Sequence, residues 1–150
     1  MNTTGSRLGL AILMTLVLAS GTVACKKKGP VSSDDVSIYD VNLAMIHFDF
    51  DKYDIKPQYQ STLQQHSQWL NSNPQVNIII EGNTDEWGTE EYNLALGERR
   101  AIAAKNYLVN LGISPDRIAT ISYGESRPLD PGHNPTAWAQ NRRDDFKGRR

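Results

Sequence analysis

A 12-residue apolar run, LGLAILMTLVLA from Leu8 to Ala19, stands between one basic residue, Arg7, and the small-residue stretch SGTVAC. It constrains the fold more than any other feature, because it takes the first 24 residues out of the folded body. A membrane-spanning helix needs about 20 apolar residues, whereas the apolar centre of an export signal needs roughly 7–15. Residues 1–24 therefore read as a cleaved signal peptide, and a 150-residue chain then has room for one domain. The remainder carries 15 basic and 17 acidic residues. That balance excludes a nucleic-acid partner, which requires positive charge of one sign along a groove. The single cysteine, Cys25, falls at the boundary and has no second cysteine with which to form an internal disulfide.

Gly21 and Ala24 leading into Cys25 resemble a bacterial lipoprotein box, with Thr22 where leucine is commonest. The resemblance implies that Cys25 becomes the lipid-bearing first residue of the mature chain. Lys26 in place of aspartate after it implies the outer membrane, with the domain facing the periplasm. The next stretch, KKKGPVSSDDVS, has no apolar period and is rich in Gly, Pro, Ser and charge. Residues 25–39 are thus expected to be a lipidated N-terminus and flexible spacer, with residues 40–150 as the folded domain. Three lysines are fewer than the clusters that hold anionic lipid well.

Within the domain, VNLAMIHFDF alternates apolar residues at Ile46, Phe48 and Phe50, which predicts a strand. Pro57 suits the first turn of a helix, whose apolar stripe is Tyr59, Leu63, Trp69 and Leu70 and whose stop is Pro74. VNIII predicts a second strand with both faces partly covered. A long helix follows, with Glu90 and Glu91 in its first turn, Leu94, Ala101, Ala104, Leu108 and Leu111 facing inward, and Gly112 as the left-handed stop. A third strand in SPDRIATISYG, an irregular connection, a short helical turn and a final strand complete the chain. The fold class is α/β, a βαβαββ order giving a mixed sheet of about four strands against two main helices, the first crossover right-handed.

Between the second strand and the long helix lies EGNTDEWGTEEYNLALGERRA, residues 81–101, with six carboxylates and two arginines. Strand-to-helix loops are where open sheets collect ligands. Helix-start N–H groups or Arg100 can hold a carboxylate, and Asp85 can hold an ammonium. The other strand-to-helix loop, FDFDKYD, delivers Asp49, Asp51 and Asp54, and meets the first if the two strands are neighbours. A guest carrying both charges fits this mixture.

HFDFDKYDI, EGNTDEWGTEEYNLALGERRA, ISYGESRP and GHNPTAWAQNRR, in that order over residues 44–143, resemble the peptidoglycan-associated lipoproteins of Gram-negative bacteria, within the wider OmpA-like group. The resemblance implies non-covalent binding of peptidoglycan through the meso-diaminopimelate of its stem peptide. It would tether outer membrane to wall as part of the Tol-Pal system. By motif it implies that Asp85 takes the diaminopimelate ammonium and Arg100 its carboxylate, that Phe50 and Asp51 make the first-loop contact, that Asn93 orients these groups and that Arg143 stands at the rim. It implies no cofactor beyond the lipid on Cys25. Its alternative implication is a module that docks the periplasmic Tol propeller protein, TolB, with little wall binding. Two positions depart from the family pattern. Trp87 replaces the usual arginine and offers a flat surface for stacking on glycan or peptide, and Asp144 stands where an apolar strand residue is usual, which suggests an edge or frayed last strand.

Other chemistries fare worse. The paired carboxylates would suit a glycosidase, but no Ser/His/Asp or Cys/His nucleophile set is visible and the resemblance implies recognition without turnover; we expect no enzyme. A calcium loop starting at Asp49 would have Tyr53 at its fifth place, Asp54 in place of the glycine and Gln60 in place of the closing glutamate. His47, His66 and His133 lack a companion at metal-ligand spacing and read as packing residues.

Overall fold

The computed structural model describes residues 41 and 43–149. The signal peptide, Cys25 with its expected lipid and the spacer to residue 39 lie outside the described residues. The elements run β1 (Leu43–His47), α1 (Pro57–Ser72), β2 (Asn77–Asn83), α2 (Glu90–Asn110), a 3-10 turn (Pro115–Arg117), β3 (Ile118–Gly124), α3 (Pro135–Asn141) and β4 (Arg143–Arg149). One four-stranded sheet has the order β1-β4-β2-β3. β2 and β3 are parallel, while β4 is antiparallel to both of its neighbours. This is the mixed sheet with two main helices that the sequence predicts.

α1 starts at Pro57, where the missing N–H costs nothing. It buries Leu63, His66, Ser67 and Leu70, the spacing of one helical face, and Asn73 ends it with its side-chain amide on the Trp69 carbonyl at 2.8 Å. α2 is capped by the Thr89 side chain, which accepts from the Tyr92 N–H, and it closes at Gly112 with φ 95°. Its inward face is Leu96, Gly97, Arg100, Ala101, Ala104 and Leu108. Leu94, expected inside, is 40% exposed, and Leu111 is only half-buried. The stripe is rotated because Gly97 lies flat on β2: a Cβ on Gly82 would sit 2.0 Å from the Gly97 carbonyl oxygen. Backbone contact, not a leucine, sets the distance of this helix from the sheet.

The core lies between the helices and the sheet, with Ile46, Leu63, Ile78, Ile80, Leu108 and Phe146 fully or almost fully buried. Each such side chain stabilises the fold by roughly 1.5–3 kcal/mol. On β2, Ile78 and Ile80 point into this core while Ile79 is half-covered on the opposite face, as VNIII suggests.

Two expectations are corrected. β1 ends at His47, so Phe48 is buried beyond the strand end and Phe50 sits in a turn, 59% exposed. β4 is neither edge nor frayed, for it is hydrogen-bonded on both sides. Its register sets Asp144 opposite Ile46 on one side and Gly82 on the other, on the core face that Phe146 also occupies. Asp144 is completely buried and neither oxygen has a hydrogen-bond partner. Burial pushes its pKa well above the usual range against the pull of nearby Arg100.

Candidate functional site

β1 and β2 are not neighbours, because β4 runs between them, yet the loops that follow them meet. One arginine joins them. Arg100, on the inward face of α2, donates from Nε to the Lys52 carbonyl at 2.8 Å, from one Nη to Asp49 at 3.2 Å and from the other to Asn83 at 2.8 Å. Its guanidinium also lies 5.0 Å from the centre of the Phe48 ring. Arg100 is 0% exposed, and burial lowers its pKa to about 10, opposed by the charges of Asp144, Asp85 and Asp51. It remains a cation at neutral pH. The three bonds account for three of its five N–H groups.

Asp51 stands at the tip of the first loop with φ 55°, a left-handed position that aspartate tolerates better than most residues. Its carboxylate accepts from the Tyr92 hydroxyl of α2. Gly88, φ 121°, lets the second loop turn into α2 beside Tyr92 and Asn93. Between these loops lies a depression of about 260 Å³, lined by Phe50, Asp51, Trp87, Gly88, Tyr92 and Leu96. Asn93 adjoins it: a Cβ on Gly88 would come within 3.5 Å of its Oδ1. The Asn93 amide donates to Glu125, but Oδ1 is buried without a partner among the described residues. An orphaned buried acceptor costs about 1–3 kcal/mol, so a donor is wanted there.

Asp85 occupies a second position. It is 3% exposed, its Oδ2 pairs with Arg142 at 3.0 Å, and its Oδ1 accepts from the Trp87 backbone at 3.4 Å. Arg142 also donates to the Phe48 carbonyl at 3.1 Å, tying the end of α3 to the loop after β1. The pair lies at the end of a groove of about 400 Å³ lined by Phe50, Asp85, Trp87, Pro135, Trp138 and Arg142. Phe50 and Trp87 wall both hollows.

Of the six residues that motif suggests, Phe50, Asp51, Asp85, Asn93 and Arg100 therefore gather at one end of the sheet. Arg100, enclosed behind the loops, lines neither hollow, and Arg143 does not either; Arg143 pairs instead with Asp145 at 3.0 Å and donates to the Arg127 carbonyl. Strand alternation explains the one-residue difference. Arg143 is the first residue of β4 and lies on the face opposite Asp144, whereas Arg142 precedes the strand and turns toward Asp85. Sequence reasoning also passes over Trp138, Tyr92 and Glu86, whose only signal is their place within the recognised motifs.

Comparison with known proteins bears on the same span. The OmpA family's sequence profile matches residues 47–142. The peptidoglycan-associated lipoprotein of Haemophilus influenzae is 48% identical over 98 residues, 65% of this chain and 64% of that protein. The chain thus matches just under two thirds of that relative's length. The protein of the same name from Brucella melitensis is 40% identical over 151 residues, covering 92% of this chain and 90% of its own. Among solved structures, the peptidoglycan-associated lipoprotein from Burkholderia pseudomallei superposes with TM-score 0.69 at 48% identity, over 70% of this chain and 89% of that one. The C-terminal domain of Helicobacter pylori MotB, 18% identical, superposes with TM-score 0.67 over 73% of this chain and 86% of that one, a likeness of fold alone.

Proposed function

This chain belongs to the OmpA family, and from that premise we propose that it is an outer-membrane lipoprotein that grips peptidoglycan without reacting with it. The ligand group is the free end of meso-diaminopimelate, which presents one ammonium and one carboxylate when the stem peptide has acylated its other amine. The lipid on Cys25 holds one end of the chain in the outer membrane, the domain holds the wall, and the spacer carries the tension between them.

The observation that carries this reading is the unpaired Asn93 Oδ1, buried beside the hollow that Asp51 lines. An ammonium there satisfies the orphaned acceptor and meets the Asp51 carboxylate, with Asp85 adding negative charge behind the Trp87 loop. The carboxylate is drawn to Arg100, whose two further N–H groups it reaches by moving the Asp49 and Lys52 carbonyls aside. Phe50 closes over the aliphatic part of the ligand. Charged hydrogen bonds of this kind contribute roughly 1.5–3 kcal/mol each. Lysine-containing stems keep the ammonium but lack the carboxylate. Calorimetry of the full chain in detergent is therefore expected to show at least about tenfold tighter binding of diaminopimelate stems than of lysine stems. Equal affinities reject the proposal.

A second reading, docking to the Tol propeller protein, has its own observation. On the outer side of α2, Arg99 lies 5.7 Å from the Tyr53 ring and 5.8 Å from the Tyr92 ring, and Ile102 beside them is exposed. Exposed aromatic and arginine groups of this kind are enriched at protein interfaces. Capture of the propeller protein that is lost in Ile102→Glu, while sacculi still pellet the chain, would separate this surface from the wall site.

A further inference from the structure

We propose that the corner between Trp87 and Trp138 is a carbohydrate subsite that takes the N-acetylated sugar bearing the stem peptide; the proposal rests on the wall-binding reading above. Trp87 is 53% exposed, which is high for the largest side chain in the repertoire. It is not loose. Its ring stands 5.2 Å from that of Trp138 at an interplanar angle of 77°, an edge-to-face contact. Trp138 is fixed in turn, its indole N–H donating to Glu86 at 2.7 Å, and the other oxygen of Glu86 meets His133 Nδ1 at 2.6 Å. Two indoles at right angles thus form a rigid, open apolar corner.

The corner ends at the buried Asp85–Arg142 pair. A pyranose matches this arrangement: its C–H face lies on an indole while its hydroxyl and acetamide groups, at the ring edge, reach the charged pair. The occupant follows from continuity. Phe50 and Trp87 wall both the hollow that takes the diaminopimelate and this groove, so whatever fills the groove is covalently next to that ligand. In a stem, two amino acids separate diaminopimelate from its sugar, a reach of about 10 Å for extended chain. The alanine and glutamate in between offer a methyl group and a carboxylate, too little to cover two indoles in a groove of about 400 Å³.

The test compares two probes on the full chain in detergent: a diaminopimelate tripeptide, and the same tripeptide carrying N-acetylmuramic acid. The sugar-bearing probe is expected to bind about fivefold more tightly. Trp138→Ala removes the wall that the diaminopimelate hollow does not share, and should erase that difference while leaving the bare tripeptide within about twofold of its original affinity. Saturation of the indole protons in the unaltered chain should also transfer to the sugar ring protons, a readout that requires no variant. Equal affinities for the two probes overturn the subsite and leave the wall-binding reading standing. So does a sugar increment that survives Trp138→Ala. Loss of bare-tripeptide affinity in Trp138→Ala assigns the corner to the peptide and likewise overturns it. If neither probe binds, both proposals fall together.

Discussion

Arg100 and Arg117 stand at opposite ends of the sheet and do the same local job. Arg117 donates to the carbonyls of Leu70, Asn73 and Val76, which fastens the end of α1 to the start of β2. Arg100 donates to Asp49, Lys52 and Asn83, which fastens the loop after β1 to the end of β2. A planar fork of fixed donors is suited to loose carbonyls at element ends, and neither arginine is matched by a side-chain carboxylate among these bonds. The difference lies in the surroundings. Burial alone lowers the pKa of Arg117, whereas the lowering at Arg100 is opposed by Asp144, Asp85 and Asp51. A carbonyl clamp is structural wherever it occurs. Surplus acids, an orphaned amide oxygen and open hollows make only the Arg100 end a place for a ligand.

The largest effect is expected from removing the buried clamp. Arg100→Leu strips three carbonyls of a charged donor, at a cost of about 3–5 kcal/mol in urea unfolding. Arg100→Lys keeps the charge but not the fork, and should recover only part of that loss. Full recovery by lysine would mean that charge, not geometry, holds the two loops together.

The next test asks whether acid loosens the molecule through the ligand end or through the core between the ends. His66 is buried, has no hydrogen-bond partner on either nitrogen and packs edge-on against Phe146 at 4.6 Å. Burial pulls its pKa from 6.5 to about 4, so the unfolded chain takes up a proton that the folded one refuses. Its contribution is intact above the unfolded value and is lost as pH falls through the window from 6.5 to about 4, about 3 kcal/mol in total. Asp144 slopes the other way, since its raised pKa makes its contribution greatest at low pH and loses it as pH rises. His66→Phe should therefore flatten the acid limb of stability measured at a series of pH values. An unchanged acid limb would shift the cause to the carboxylates around Arg100.

Arg117→Ala should cost about 1.5–3 kcal/mol, less than Arg100→Leu because the side chain is partly open to water. Affinity for a diaminopimelate stem is expected to stay unchanged. A drop in that affinity would mean that the two ends are coupled and that the division drawn between them is false.

How much of this could be read from the chain alone depends on whether a feature is local. Pro57, the first-turn pair Glu90 and Glu91, and Gly112 mark helix ends through local chemistry, so both main helices were legible. Leu94 misled because periodicity reports a stripe but not its rotation, which the backbone contact of Gly97 with Gly82 decides. Asp144 misled more deeply. A charged residue in a strand suggests an edge, and only the pairing of β4 with β1 and β2 sets it opposite a glycine and beneath a buried arginine. The same non-local register separates Arg142 from Arg143, which adjacent positions in NRR cannot do. Motif resemblance brought five of six named residues to one end, but gave no hint that Arg100 would be fully enclosed or that Asp85 would already be paired.

The smallest effects give the cleanest contrast, because two glycines in left-handed conformations flank α2, one at each end. Gly112 has φ 95° with open space where a Cβ would go, and Gly88 has φ 121° with Tyr92 Cδ1 at 3.3 Å and Asn93 Oδ1 at 3.5 Å from that point. Alanine at either position carries the backbone penalty of roughly 1 kcal/mol, seen as lowered urea midpoints of similar size. Only at Gly88 does the new methyl press on Tyr92, the partner of Asp51, and touch the residue whose unpaired oxygen is proposed to take the ammonium. Gly88→Ala is thus expected to weaken stem binding severalfold beyond what Gly112→Ala does at matched stability. Equal affinities in the two variants would remove Asn93 from the ligand's contacts and, with it, the asymmetry on which the two ends of the sheet are told apart.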